Sequence, residues 1–243
     1  MFTILLEVCN INKDYGDKTI IENLNLNLNN KEIIAIMGSN GIGKTTLLNI
    51  ITGLIKPDSG EIYIKRINPS DDIKARKHIG YIPIDGFLYD HLNAYENLEM
   101  IANLYGINFK DINITILLEQ VGLELTDAKK ATGTYSLGMK QKLNFACGLI
   151  HNPDIIILDE PFNGLDPNST QNFKKLLKDL SQTGKGIIFT SHLPETIIEL
   201  ANKVVIMNNK KITAQQKLNE NSNIAQLLEW FEKTLNNKES ENK

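Results

Sequence analysis

The chain is poor in cysteine, has no long apolar run and nowhere concentrates positive charge. Its two cysteines, Cys9 and Cys147, stand far apart in 243 residues, and neither belongs to a C-x-x-C pair. That excludes a zinc cluster or a disulfide framework, and both thiols are expected to be small buried groups in a reducing compartment. No apolar stretch approaches the roughly 18 residues that span a bilayer, so any work at a membrane needs a span from elsewhere. The formal net charge is −3, with Lys and Arg scattered, which leaves no footprint for nucleic acid. The start, Met1 to Glu7, has neither a basic region nor a cleavage site and reads as a first strand rather than a signal peptide. No internal repeat is present.

What is there falls into regions of different texture. Residues 1–80 read as strand-rich, with Asn and Gly turns and an alternating Glu61-Ile62-Tyr63-Ile64. Residues 85–150 read as mostly helical, from the spacing in Asn97–Tyr105, Ile114–Val121 and Lys140–Ile150. Residues 153–213 return to β/α alternation, with apolar runs at Ile155–Leu158, Gly186–Thr190 and Val204–Met207. Unbroken apolar strands separated by helices predict an α/β fold whose parallel sheet is covered on both faces. The reading is a domain over residues 1–215, with a helical subdomain of about 85–150 inserted. Residues 216–243 follow as an amphipathic helix (Ile224, Leu227, Leu228, Phe231, Leu235) and a polar tail.

The chemistry is carried first by Gly38-Ser39-Asn40-Gly41-Ile42-Gly43-Lys44-Thr45, which has the form G-x-x-x-x-G-K-T. A short apolar run, Ile33–Met37, precedes it, and a helix is expected to continue from Thr46. Glycines let the backbone N–H groups turn inward on a polyphosphate, and the helix N-terminus adds positive potential. Farther on, Ile155–Leu158 ends in two adjacent carboxylates, Asp159 and Glu160, at the sheet edge where ligands bind. Asp159 and the Thr45 hydroxyl are expected to hold Mg²⁺, and Glu160 to polarise a water against the γ-phosphate.

Tyr135-Ser136-Leu137-Gly138-Met139-Lys140-Gln141 lies upstream of the carboxylates. With it the chain resembles an ATP-binding cassette (ABC) ATPase, whose signature is usually Leu-Ser-Gly-Gly-Gln. The Y-S-L-G-M-K-Q form is similar to that of bacterial exporter ATPases of the bacitracin-resistance and bacteriocin-immunity type. The resemblance runs over roughly residues 5–213 with its motifs in order. It implies a P-loop NTPase fold with a RecA-like sheet core, an antiparallel N-terminal part and an inserted helical subdomain. It also implies that Tyr15 stacks on adenine, that His192 touches the γ-phosphate, and that Asp166 follows the second carboxylate in the loop Asn163-Gly164-Leu165-Asp166. Ser136 also suits the cap of the helix that follows it, a role compatible with phosphate binding. One position departs from the pattern: where a glutamine or glutamate is expected, the chain has Ile84, with Asp85 beside it.

The resemblance implies the ATP-binding subunit of a transporter, an exporter by its signature. Two such subunits, identical or sister chains, would close head to tail on two ATP molecules. Ser136 and Gly138 of one would complete the site formed by Lys44, Thr45, Asp159, Glu160 and His192 of the other. A separate permease, gripped near residues 84–105, would hold the protein on the cytoplasmic face of the membrane. Two other readings stand beside this one: a non-transport ABC ATPase such as an iron–sulfur-assembly protein, and a low-turnover nucleotide switch prompted by Ile84.

Overall fold

The computed structural model describes residues 3–69, 72–84 and 86–236. Two long strands, β1 (Ile4–Tyr15) and β2 (Lys18–Asn29), form a hairpin, followed by β3 (Ile33–Met37), α1 (Lys44–Ile51) and β4 (Ser59–Ile64). A 3-10 turn over Ile73–His78 leads into β5 (Ile79–Ile82). Three helices follow, α2 (Ala94–Tyr105), α3 (Ile114–Gln120) and α4 (Leu137–Leu149). The chain then alternates through β6 (Ile155–Leu158), α5 (Pro167–Gln182), β7 (Gly186–Thr190), α6 (Pro194–Leu200), β8 (Lys203–Asn208) and β9 (Lys211–Lys217), and α7 (Ile224–Asn236) comes last.

The strands form two sheets, a three-stranded one in the order β2-β1-β4 and a six-stranded one in the order β5-β6-β7-β3-β8-β9. The first is antiparallel; in the second only β9 runs against its neighbour. Successive strand residues point to opposite faces, and in β3, β6 and β7 both faces are buried. Ile33, Ala35, Ile156 and Leu158 pack with the helices, whereas Ile34, Ile36, Ile155 and Ile157 pack with α1 and the antiparallel sheet. Each fully buried isoleucine contributes roughly 1.5–3 kcal/mol of apolar transfer. The double-sided burial expected from the unbroken apolar runs is what the structure shows.

The helical region is shaped by local bonds. Asn93 and Glu96 form a capping box at the start of α2, with Glu96 N donating to Asn93 Oδ1 at 3.0 Å and Asn93 N to Glu96 Oε2 at 2.8 Å. Asn97, buried one turn in, accepts from Tyr89 N at 2.9 Å and donates back to the carbonyl of Asn93. This ties the loop after β5 to α2. Helix α4 lies against β5 as well as against α2 and α3, so the inserted region also covers one end of the sheet. Gly80 and Gly148 permit the approach: a Cβ on Gly80 would overlap the Gly148 carbonyl oxygen.

At the other end, β9 pairs Lys217 with Lys203 of β8, so the expected division at 215/216 falls inside a strand. Helix α7 packs on α6 and β8 through buried Leu227, with Trp230 and Phe231 half-buried beside it. Of the expected polar tail, residues 236–243, Asn236 ends α7, whereas residues 237–243, like Asp85, lie outside the described residues. Both cysteines are free and half-buried rather than fully enclosed. Burial pushes the Cys147 thiol up to about 12, which makes it inert as a nucleophile at neutral pH. Among the described residues, no helix is long and apolar enough to cross a membrane.

Candidate functional site

The loop between β3 and α1 adopts the shape that its glycines permit. Gly41 and Gly43 have φ of 76° and 109°, and a Cβ on Gly38 would sit 2.6 Å from the Met207 carbonyl oxygen. The loop is thus pressed against β8 on one side. Ile20 of β2 touches Gly43 on another. Lys44, almost fully buried, donates its ammonium to the carbonyls of Gly38 at 2.8 Å and Ser39 at 3.2 Å. Burial lowers its pKa, and the charges of Glu160 and Asp159 work in the opposite direction. A buried cation beside two carboxylates, at the mouth of a helix, is a setting for a polyanion.

The carboxylates sit where β6 ends. Asp159, 2% exposed, is anchored by its N–H on the Ile82 carbonyl at 3.0 Å. Thr45 Oγ1 donates to its Oδ2 at 2.6 Å, and Thr190 Oγ1 donates to its Oδ1 at 2.6 Å. The same Thr190 hydroxyl accepts the Glu160 N–H at 2.8 Å. Glu160 has a left-handed φ of 45°, a conformation that turns its side chain off the strand axis. There its Oε2 lies 3.1 Å from His192 Nδ1; the glutamate side chain is 12% exposed and the imidazole 56%.

These groups surround an open cavity of about 480 Å³. Of the residues expected from sequence, Asn40, Gly41, Gly43, Lys44, Thr45, Thr46, Asp159, Glu160 and His192 line it. Gly38, Ser39 and Ile42 shape the loop behind them. Ile84 also lines the cavity and is 48% exposed, so an isoleucine side chain stands where a polar one was expected. Sequence reasoning missed three residues. Ile20 and Asn163 line the cavity, and Thr190, on the neighbouring strand, bonds the Asp159 carboxylate and the Glu160 backbone.

Four expected residues are placed elsewhere in the chain. Ser136 caps α4, accepting from Met139 N at 3.2 Å. Gly138 rests against the Gly164 carbonyl, and a Cβ on Gly164 would run into Leu137. Asp166 caps α5 by accepting from Ser169 N at 3.0 Å, and its bonds to Ser169 hold its carboxyl below the usual range. The signature and the loop Asn163–Asp166 therefore form one packed unit, of which only Asn163 reaches the chain's own cavity. Tyr15, at the tip of the β1–β2 hairpin, is 50% exposed and does not line the cavity; Lys13 Nζ stands 5.4 Å from its ring centre.

A glycine loop with a buried lysine, and paired carboxylates two strands away in the same parallel sheet, define a P-loop nucleoside triphosphatase. The chain belongs to the ABC transporter family, whose model matches residues 21–163. It is 34% identical over 223 residues to the lantibiotic transport ATP-binding protein SrtF of Streptococcus pyogenes, covering 92% of this chain and 95% of that one. The bacitracin transport ATP-binding protein BcrA of Bacillus licheniformis is 37% identical over 211 residues, 86% of this chain and 68% of the relative. A dimeric ATP-binding cassette in a post-hydrolysis state, bound to ADP and Pi, superposes with a TM-score of 0.80 at 28% identity, over 88% of this chain and 99% of that one. The protein is accordingly an ATP-binding subunit with ATPase activity, as its signature led us to expect.

Proposed function

We propose that the chain powers an exporter: two ATPase subunits close on ATP, and the motion drives a separate permease. The observation that carries this reading is the Glu160–His192 pair beside Lys44, held by Thr190 and facing the glycine loop. The names of SrtF and BcrA, both transport proteins, support transport over a role in iron–sulfur assembly. The signature form supports export. A peripheral position on the cytoplasmic face follows from this reading, since a permease would have to supply the span.

In the proposed mechanism the loop N–H groups and Lys44 bind the β- and γ-phosphates, with the start of α1 behind them. Thr45 and Asp159 would hold Mg²⁺. Their oxygens already lie 2.6 Å apart, and a pair of hard oxygen donors suits a cation that takes its remaining ligands from phosphate and water. Among the described residues no group of three or more His, Cys, Asp and Glu could form an all-protein cage, which fits a cation arriving with nucleotide. When bound, Mg²⁺ would neutralise charge on the phosphates. Glu160 takes a proton from water as its oxygen attacks the γ-phosphorus; the bond to the bridging oxygen breaks and ADP leaves. His192 steadies Glu160 and the γ-phosphate, and Tyr15 stacks on adenine.

Ser136 and Gly138 act on the partner's nucleotide, with Asp166 ordering the loop beside them. Their distance from their own cavity supports this, as does the dimeric state of the related cassette. Half a site cannot surround the γ-phosphate, so nucleotide joins the subunits and hydrolysis releases them. The test is MgATP hydrolysis by the purified chain over a range of protein concentrations, beside Glu160→Gln. A rate that rises more steeply than protein concentration, and vanishes in the variant, is expected. A rate strictly proportional to protein would reject the composite site. Wild-type turnover in the variant would reject Glu160 as the base.

A further inference from the structure

The β1–β2 hairpin carries Tyr15 at its tip, where the strand ladder is irregular. The pairing of β1 with β2 shifts register between Ile11 and Lys13 and again between Lys13 and Asp14. The pairing of β1 with β4 ends at Asn12, opposite Ser59. Such shifts disrupt the ladder locally and re-aim side chains. Strand pairing therefore leaves the direction of the Tyr15 ring weakly determined, and the ring is half exposed.

An acid from another part of the chain supplies the missing hold. Asp58 stands just ahead of β4, on the segment that leaves α1. Its Oδ2 accepts the Asp14 N–H at 2.6 Å, and its Oδ1 accepts from Lys13 Nζ at 2.9 Å. Its own N–H donates to the Asn12 carbonyl at 2.9 Å. Asn12, Lys13 and Asp14, successive in β1, are thus all bonded to one residue. The bonds from the Asp14 N–H and the Lys13 ammonium hold the Asp58 carboxyl below the usual range, so it is ionised at neutral pH. Asn12 adds a bond from Nδ2 to Ser59 Oγ at 2.9 Å. Gly60 permits this closure, since a Cβ there would overlap the Asn10 carbonyl. The Lys13 side chain is only 13% exposed, and its ammonium stands over the Tyr15 ring, 5.4 Å from the centre. A cation so placed is attracted to the face of the ring.

We infer that Asp58 and Lys13 are positioning residues for the adenine platform: Asp58 fixes Lys13, and Lys13 covers one face of Tyr15, leaving the other for the base. The inference rests on the stacking of Tyr15 on adenine proposed above. Lys13 and Asp58 act through the ring rather than on the nucleotide. A ring already held on one face loses less freedom when the base arrives on the other. The cation also draws π density away from the face offered to adenine, which eases the stacking of two electron-rich surfaces. The pair therefore raises affinity for the nucleoside part of the ligand and leaves the phosphate contacts of the glycine loop unaltered.

The test compares dissociation constants for MgADP, which carries the base and is not turned over, with those for magnesium pyrophosphate, which has the phosphates alone. The proteins are wild type, Tyr15→Leu, Lys13→Met, Lys13→Arg, Asp58→Asn and the double variant Tyr15→Leu/Lys13→Met, each checked for an intact fold by thermal unfolding. Lys13→Met and Asp58→Asn should bind MgADP roughly three- to tenfold more weakly, and pyrophosphate as wild type does. Lys13→Arg should recover most of the loss, because a guanidinium also stacks on a ring and pairs with a carboxylate. The double variant should bind MgADP no more weakly than Tyr15→Leu, since Lys13 has nothing left to act through. Weaker binding of both ligands alike, or losses that add in the double variant, would overturn the positioning role and leave the stacking standing. Wild-type affinity for MgADP in folded Lys13→Met and Asp58→Asn would do the same. Wild-type affinity for MgADP in Tyr15→Leu would overturn the stacking itself, and the positioning role with it.

Discussion

Thr190 positions Asp159 from the neighbouring strand: its hydroxyl donates to Asp159 Oδ1 at 2.6 Å while accepting the Glu160 N–H at 2.8 Å. One buried hydroxyl thus ties the Asp159 carboxylate to the backbone of Glu160. Thr190→Val keeps the shape, removes a bond to a charged group and leaves a backbone N–H without its acceptor. We expect a loss of about 2–4 kcal/mol in stability, read from denaturant unfolding. Phosphate release should fall more steeply than ATP affinity, because the groups displaced act in the transition state. Wild-type turnover in the folded variant would remove Thr190 from the site.

Ile84 stands in the cavity wall where an amide or carboxylate was expected. An aliphatic side chain can neither order water nor donate to a phosphate. Ile84→Gln should therefore raise MgATP turnover several-fold without tightening ATP binding, measured by steady-state kinetics alongside nucleotide titration. A rate equal to or below wild type would show that this lineage does not need a polar group there. It would also weigh against the low-turnover switch as the meaning of Ile84.

Gly80 lets β5 lie directly against α4. A methyl group there would overlap the Gly148 carbonyl oxygen, a backbone atom that cannot swing aside. Gly80→Ala should cost about 1–3 kcal/mol, and more if β5 cannot shift. A matching control is Gly106→Ala: a Cβ there meets nothing within 4 Å, and its φ of 70° should produce a smaller loss. Equal melting temperatures for Gly80→Ala and wild type would refute the close approach.

His151 stacks on Tyr105 with ring centres 3.8 Å apart and hydrogen-bonds the Ile79 carbonyl through Nε2 at 3.0 Å. Burial lowers its pKa from 6.5 to about 4, and the charge of Lys185 adds to the effect against the bond to Ile79. The folded state resists a proton that the unfolded chain accepts. Stability is therefore full above the unfolded value of 6.5 and declines as pH falls toward about 4. The expected loss, allowing for partial solvent screening, is on the order of 2 kcal/mol. His151→Phe keeps the stack and removes the titration. Its denaturant midpoint should change less than that of wild type between about pH 7 and about pH 5.

The legible parts of this protein are those in which function and local structure share a stretch of chain. The glycine loop, its strand and its helix are contiguous, and so are Leu158, Asp159 and Glu160; spacing alone placed them. Ile20 and Thr190 could not be found that way. Ile20 reaches the loop because the β1–β2 hairpin folds over it, and Thr190 matters because β7 is the neighbour of β6 in the sheet. Sequence gives no direct statement of strand order. The positive φ of Glu160 was hidden for a related reason, since a glutamate carries no compositional sign of a left-handed turn.

The six-stranded sheet gives its four working strands unequal mechanical freedom. The strands β3, β6 and β7, which end in the loop, the carboxylates and the histidine, each have a partner on both sides. Strand β5, which leads to Ile84, is bonded to β6 alone among the described strands. An edge strand can tilt with the breakage of one ladder, whereas an interior strand must break two. The margin of the sheet that leads to Ile84 is therefore free to yield, while the loop, the carboxylates and the histidine are clamped in its stiff centre.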